Sequence, residues 1–339
     1  MKHYAGIDVS LEESHVAIVD ETGRVVSEAA VPSEPVALAG HLERWHGTLM
    51  RVGLEAGPLS QWLHAGLAEA GMPVACLETR QLKAVLKIQR VKSDRNDARG
   101  IAQAVRTGWY QPVHVKSLAS QERLALLTAR KLASNKLKDV ENGVRGLVRN
   151  FGIKLGKLSR AKWEASVRVQ LERHPRLLAI VEPLLMVRAV LRDQFGELDR
   201  RVRTEARADP ICRRLMTAPS IGPVVALGYV AAVDDPTRFK RSRSVGVHFG
   251  LTPKRYQSGE TDRVGAISKI GDEMVRTLLY EAATTLLGRV QRFSPLKAWA
   301  LRLAVKRGIK RARVALARKL AVVLHRMWTD GTEFRWSRA

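Results

Sequence analysis

The chain has 339 residues, 45% of them apolar, enough for two domains with cores of their own. No run of about 18 apolar residues offers a membrane span, the first residues meet charge too soon for a signal peptide, and Cys76 and Cys212 fit no zinc spacing. A reduced, cytoplasmic, nucleoid-associated protein without a disulfide framework is expected. The net charge is +25, and its distribution is uneven. Residues 1–115 hold 12 Lys/Arg against 13 Asp/Glu; residues 116–339 hold 46 against 20. A near-neutral head on a strongly basic body points to a polyanion partner, nucleic acid first. A solvated basic surface is the plainer alternative.

In chain order, His3–Val9, His15–Asp20 and Arg24–Val31 are short β-rich runs joined by turns that suit antiparallel hairpins. A helix over Val36–His46, a strand over Arg51–Glu55, a helix over Ser60–Ala70, a strand over Pro73–Leu77 and a helix over Arg80–Lys87 follow. Ser93–Thr107 reads as a further helix with Ser93 as N-cap. A three-strand meander followed by β-α units predicts a mixed sheet flanked by helices, an α/β head over 1–115.

Leu118 to Arg149 reads as continuous helix, with Leu124, Leu127, Leu132, Leu137 and Val140 as an approximate heptad stripe. A second long helix over Val181–Ala206 predicts an antiparallel coiled-coil insertion, residues 116–208, with Asn150–Pro175 as loop or tip. The remainder, 209–339, predicts a mainly helical domain. Its Ala218-Pro219-Ser220-Ile221-Gly222-Pro223 segment has the pattern of a helix-hairpin-helix turn, or of a plain αα-hairpin, with Ser220 as a helix cap. Helices return over Lys269–Leu287 and Pro295–Trp328.

Four acids stand out. Asp8 ends one predicted strand and Glu55 another, where ligands usually approach a sheet. Asp94 and Asp97 lie three apart, on one face of the predicted helix. If that face packs over the strand ends, the carboxylates converge, and a hard divalent cation such as Mg²⁺ would relieve their repulsion. Two such ions can clamp a phosphodiester exchange, the arrangement of a ribonuclease-H-like nucleotidyl-transfer site. Singly, each acid has a simpler role: turn cap, strand-end surface residue, or helix N-terminal acid.

The D-E-D-D set in this order resembles the insertion-sequence transposases of family one-hundred-and-ten, with their RuvC-like domain. The C-terminal part carries the resemblance independently, through Ala218 to Pro223, through Phe249-Gly250-Leu251-Thr252-Pro253 with Gln257-Ser258-Gly259, and through Lys269-Ile270-Gly271-Asp272 to Leu279. The resemblance implies a transposase that cuts and rejoins DNA through a covalent 5′-phosphoserine, with Ser258 as nucleophile and Asp8, Glu55, Asp94 and Asp97 as catalytic Mg²⁺ ligands. It further implies double-stranded donor and target DNA, a structured guide (bridge) RNA, and a homo-oligomer, dimer or tetramer, in which one subunit's acids meet another's serine.

A serine hydroxyl is a weak nucleophile unless activated. Lys254, Arg255 and Arg263 flank Ser258 and offer charge to an attacked phosphate. Without the resemblance, Ser258 reads as a turn serine before Gly259. Two other functions stay open: a RuvC-like metal-dependent DNA endonuclease whose C-terminal domain only binds, and a basic architectural protein with a degenerate enzyme-like head. Aromatic residues make up 5% of the chain, which predicts no large base-stacking platform.

Overall fold

The computed structural model describes residues 1–86 and 93–336. They form two compact units, Met1–Lys116 and Ser117–Ala339.

In the first unit, β1 (His3–Asp8), β2 (Glu13–Asp20) and β3 (Val25–Pro32) make an antiparallel meander. Helix α1 (Pro35–Leu42) and a 3-10 turn (Glu43–Trp45) lead to β4 (Leu49–Glu55). Then come α2 (Ser60–Glu69), β5 (Val74–Leu77), α3 (Thr79–Leu86) and α4 (Asp94–Thr107). β4 pairs with β1 in parallel, and β5 with β4, so the sheet runs β3-β2-β1-β4-β5. This meander continued by parallel β-α units is the ribonuclease-H strand order, and it realises the mixed sheet expected from the sequence. The end of the expected Arg80–Lys87 helix lies outside the described residues.

Alternation decides the layers. Ala5, Ile7, Val16, Ile18, Val52 and Leu54 bury one face of the sheet with Leu38 and Leu42 of α1 and Leu63 and Leu67 of α2. The other face takes α4, whose Ile101, Ala104 and Val105 pack with Leu77 and Leu82.

In the second unit, α5 (Leu118–Arg149) and α7 (Pro175–Ala208) are two long antiparallel helices. The expected leucine stripe is not their seam. Of its five residues only Leu127 is buried, and Leu132 is exposed. Besides apolar contacts such as Leu127 with Val202 and Ala206, the helices are tied by ion pairs that step antiparallel along them: Arg123 to Glu205 at 2.9 Å, Arg130 to Asp199 at 2.6 Å and Arg188 to Glu141 at 2.6 Å. The segment expected as a loop folds into α6 (Trp163–Leu171). Trp163, Val167 and Leu171 close a small core against Val144 and Val148 of α5 and Val181 and Leu185 of α7. Arg188 is fully buried there, bonded to Glu141 and Glu164 and 4.7 Å from the Trp163 ring centroid. Trp163, Val167 and Leu171, four residues apart, give α6 its buried face, and the Arg188 charge lies against the Trp163 ring.

The rest of this unit is built around α9 (Pro223–Val233), which follows the short α8 (Pro210–Leu215). α9 is apolar on every side and so lies inside a helical core. Its Tyr229 hydroxyl donates to the Ala321 carbonyl at 2.7 Å. Short α10 (Arg243–His248) leads to a hairpin, β6 (Pro253–Ser258) and β7 (Thr261–Ile267), which the expectation of helices did not include. Then follow α11 (Glu273–Gly288), α12 (Pro295–Arg307) and α13 (Ile309–Thr329). The expected single helix over Pro295–Trp328 is thus two helices, broken at Gly308. Ser220 does not cap α9: its hydroxyl turns back to the Pro219 carbonyl, and Gly222 holds the cap position without a side-chain bond. Among the described residues no helix is long and apolar enough to cross a membrane. Cys76 and Cys212 are buried free thiols.

Candidate active site

Asp8 and Glu55 are built into the sheet by the same local device. Each follows a glycine by two residues, Gly6-Ile7-Asp8 and Gly53-Leu54-Glu55, and so shares its glycine's face. Gly6 and Gly53 are direct neighbours across β1 and β4. A Cβ on Gly6 would lie 2.2 Å from the Ala98 carbonyl oxygen, and one on Gly53 2.6 Å from Val105 Cγ1. The two glycines thus form a trough in which α4 rests against the strands. With Ala98 over Gly6, the first turn of α4, bearing Asp94 and Asp97, extends toward the strand ends that carry Asp8 and Glu55.

That first turn is fixed twice. The Ser93 side chain caps α4 by accepting from the Asn96 N–H, as expected. On β3, Glu28 takes Arg95 Nε at 2.6 Å and Arg99 Nη2 at 2.8 Å. The Arg99 and Arg95 bonds hold the Glu28 carboxyl down at about 2, despite its burial. Neither arginine is therefore a spare cation; together they pin α4 across the meander.

The outcome is an electrostatically coupled acid set. The Asp8 carboxyl is pushed up to about 6, first by burial, then by the negative charges of Asp97, Asp94 and Glu55, with His15 opposing. The other three expected acids thus all act on the charge of Asp8. His15, which the sequence did not single out, faces Asp8 directly across β1 and β2. Lys83 Nζ approaches Glu55 Oε1 to 3.9 Å. Among the described residues, no three His, Cys, Asp or Glu side chains stand close enough together to ligate one ion. The acids share a field without yet sharing a ligand sphere. An all-oxygen, net-negative donor set of this kind matches a hard divalent cation.

Ser258 belongs to the second unit, as the last residue of β6. It pairs with Thr261 across the two-residue turn Gly259-Glu260. Gly259 has φ +54°, as a turn of type II′ demands at its first central position. Both strands are exposed almost throughout. Register sorts the three neighbouring cations. Tyr256 pairs with Arg263, so both share the serine's face, two residues along. Arg255 lies on the opposite face and is held by Asp262 at 2.8 and 2.7 Å. Lys254 sits at the bulge between Pro253 and Arg255. Among the described residues no side chain hydrogen-bonds to the Ser258 hydroxyl, and Arg263 makes no ion pair.

The base of the hairpin is locked by backbone. The Lys269 N–H donates to the Gly250 carbonyl at 3.1 Å and the Ser268 N–H to Thr252 at 2.8 Å. A Cβ on Gly271 would stand 1.9 Å from the His248 carbonyl oxygen, and one on Gly250 2.4 Å from that of Ile270. The glycines of the Phe249–Pro253 and Lys269–Asp272 motifs thus interlock two chain segments. They set where the serine hairpin emerges.

Residues 5–152 match the DEDD transposase family of IS110, and residues 212–298 match the family described as Transposase IS116/IS110/IS902. The chain is 29% identical to the transposase for insertion sequence element IS1111A of Coxiella burnetii, over 97% of this chain and 90% of that one. It is 27% identical to a probable family 20 transposase of Pseudomonas aeruginosa, over 84% and 85% of the two chains. To the transposase for IS1328 of Yersinia enterocolitica it is 27% identical, over 72% and 75%. Among solved structures, Thermus thermophilus RuvC is 18% identical and aligns with 33% of this chain and 99% of its own, at a TM-score of 0.27. On its two matched segments, with acids at the strand ends of its ribonuclease-H-type sheet, the chain belongs to the IS110/IS116/IS902 family of transposases, with a DEDD transposase domain at its head.

Proposed function

We propose that this transposase excises and inserts its element by cutting and rejoining DNA through Ser258. The observation that carries the proposal is that Asp97 and Asp94 of α4 and Glu55 at the end of β4 all push up the carboxyl of Asp8 at the end of β1. A sheet that gathers four acids has a reason to do so when cations and phosphates meet them. Asp8, Glu55, Asp94 and Asp97 would hold divalent ions, Mg²⁺ in our reading, which when bound supply charge to the phosphate and acidify a nearby hydroxyl.

In the exchange, Ser258 Oγ attacks a DNA phosphorus. The Oγ–P bond forms, the P–O3′ bond breaks, the hydroxyl proton leaves and the departing 3′ oxygen gains one. A new 3′-hydroxyl then attacks the phosphoserine and reverses those changes. The bond energy is kept in the ester, so no nucleotide cofactor is needed. Arg263, on the serine's face, would neutralise the attacked phosphate; Arg255, paired with Asp262, would hold the hairpin. In this scheme the acids that help Ser258 belong to the head of a second subunit in a homo-oligomer. Double-stranded DNA, donor and target, is the substrate, and a structured guide RNA supplies sequence choice by base pairing while the basic body holds backbones.

The test is strand exchange on element-end DNA with the cognate RNA and Mg²⁺, resolved on a denaturing gel. A protein–DNA adduct is expected from the native chain and none from Ser258→Ala. The absence of a group bonded to Ser258 favours one competing reading, a RuvC-like endonuclease whose C-terminal part only binds. That reading predicts that Ser258→Ala still cuts DNA and that no adduct forms in either chain.

A further inference from the structure

On the second unit, α10, α12, α13 and the base of the β6–β7 hairpin enclose an open groove of about 1280 Å³. A second groove of about 930 Å³ adjoins it, sharing Trp299, Lys319, Val323 and Arg326. Among the described residues nine Arg and Lys side chains line the two, Arg307, Lys310, Arg311 and Arg318 among them, and no Asp or Glu does. Their floor is not polar: Leu251, Leu303, Val314 and Val322 form much of it, with Val264 of β7 on the wall. The second groove adds aromatic surface. Phe293 is 69% exposed, and Phe334 lies edge-on to Trp336 at 5.4 Å, with Arg292 4.2 Å from the Trp336 centroid. Lys319 Nζ stands 4.0 Å from the Trp299 centroid, and burial lowers its pKa.

Cations without acids, around an apolar and aromatic floor, need an occupant with both characters. A duplex turns only phosphates and polar groove edges outward. An unpaired strand has phosphates for the rim and base faces for the floor. We propose that this double groove binds an unpaired nucleic-acid strand, with its backbone along α13 and a base stacked on Phe293. The wall formed by Val264 to Ile267 is the root of the hairpin whose tip bears Ser258, so a strand seated here is led toward the proposed nucleophile. Phe293, Trp299 and Phe334, with Trp336 beside them, thus bring aromatic surface to this one place. The inference rests on the proposed function only in taking the polyanion to be nucleic acid.

Binding is measured by fluorescence anisotropy on the full Ser258→Ala chain, which forms no adduct. The probes are oligothymidine and oligouridine of about 20 nucleotides and a DNA duplex of the same length. Phe293→Ala is expected to weaken single-strand binding about tenfold while leaving duplex binding within about twofold. The Arg307→Ala/Arg311→Ala double variant is expected to weaken single-strand binding and to lower the slope of log affinity against log salt by about 1 to 2. Whichever single strand binds tighter names the source as DNA or RNA. Phe293 is exposed, so its variant should fold; an unchanged melting curve confirms that. Equal losses on duplex and single strand, or no loss from either variant, would overturn the proposal. A failure of the adduct test leaves this result standing, because no chemistry enters it.

Discussion

The acid site and the serine hairpin solve opposite problems. Asp8 sits part-buried among like charges, held by a sheet, two glycines and a helix that Glu28 clamps in place. Ser258 sits on an exposed two-stranded ribbon, fixed only at its root. The first region holds like charges in a rigid frame; the second keeps exposed the hydroxyl proposed as nucleophile.

Several outcomes would break or sharpen that contrast. The largest effect is on activity: Asp8→Asn and Ser258→Ala should each lower strand exchange on the order of a thousandfold or more. Their melting temperatures should part, however. Asp8→Asn relieves repulsion and should raise the melting temperature at pH 8 without divalent ions, while Ser258→Ala should leave it unchanged. Equal melting behaviour of the two would break the comparison.

Next in size is a control on rigidity within the basic unit. Arg188→Ala leaves Glu141 and Glu164 beside an emptied site and should cost about 3–5 kcal/mol by denaturant unfolding. Gly6→Ala should cost about 1–3 kcal/mol by pushing α4 off β1. It should also depress strand exchange, because Asp94 and Asp97 move with that helix.

The pH dependence follows from Asp8. Its folded carboxyl holds a proton more tightly than the unfolded chain's, so its contribution to stability is favourable in acid and is lost as pH rises toward about 6. The melting temperature of Asp8→Asn relative to the native chain should therefore climb between pH 4 and 7, and level off above that range. Mg²⁺ at pH 8 should recover the difference in the native chain alone. The smallest effect is at the hairpin turn. Gly259→Ala strains the turn by about 1 kcal/mol, and because the ribbon is exposed the loss should show as faster hydrogen exchange in β6 and β7, with the global melt unmoved.

Much of this was legible in the sequence. Strand alternation in His3–Asp20, the Ser93 cap and the two acids at the strand ends are local signals, and the sheet realises them. Even the trough was written there, as a glycine two places before each strand acid. His15 was not legible, because its partner Asp8 is chosen by hairpin register. The α5–α7 seam misled for a related reason: its leucines fit a heptad, yet valines outside that stripe, such as Val144 and Val148, and long-range ion pairs such as Arg130–Asp199 make much of the contact. The β6–β7 ribbon has little apolar alternation, since it buries almost nothing, so only its Ser258-Gly259 turn announced it.

By itself the sequence determined the ribonuclease-H order of strands, the identity of the four acids and the charge division between head and body. These depend on residue type, spacing and count, which no fold can alter. Only the tertiary structure decided that three acids act on Asp8, that Arg255 is spoken for while Arg263 shares the serine's face, and that a handful of scattered aromatics lines a basic groove. Coulomb coupling, strand register and cavity lining arise between residues far apart in the chain, where the local pattern carries no information.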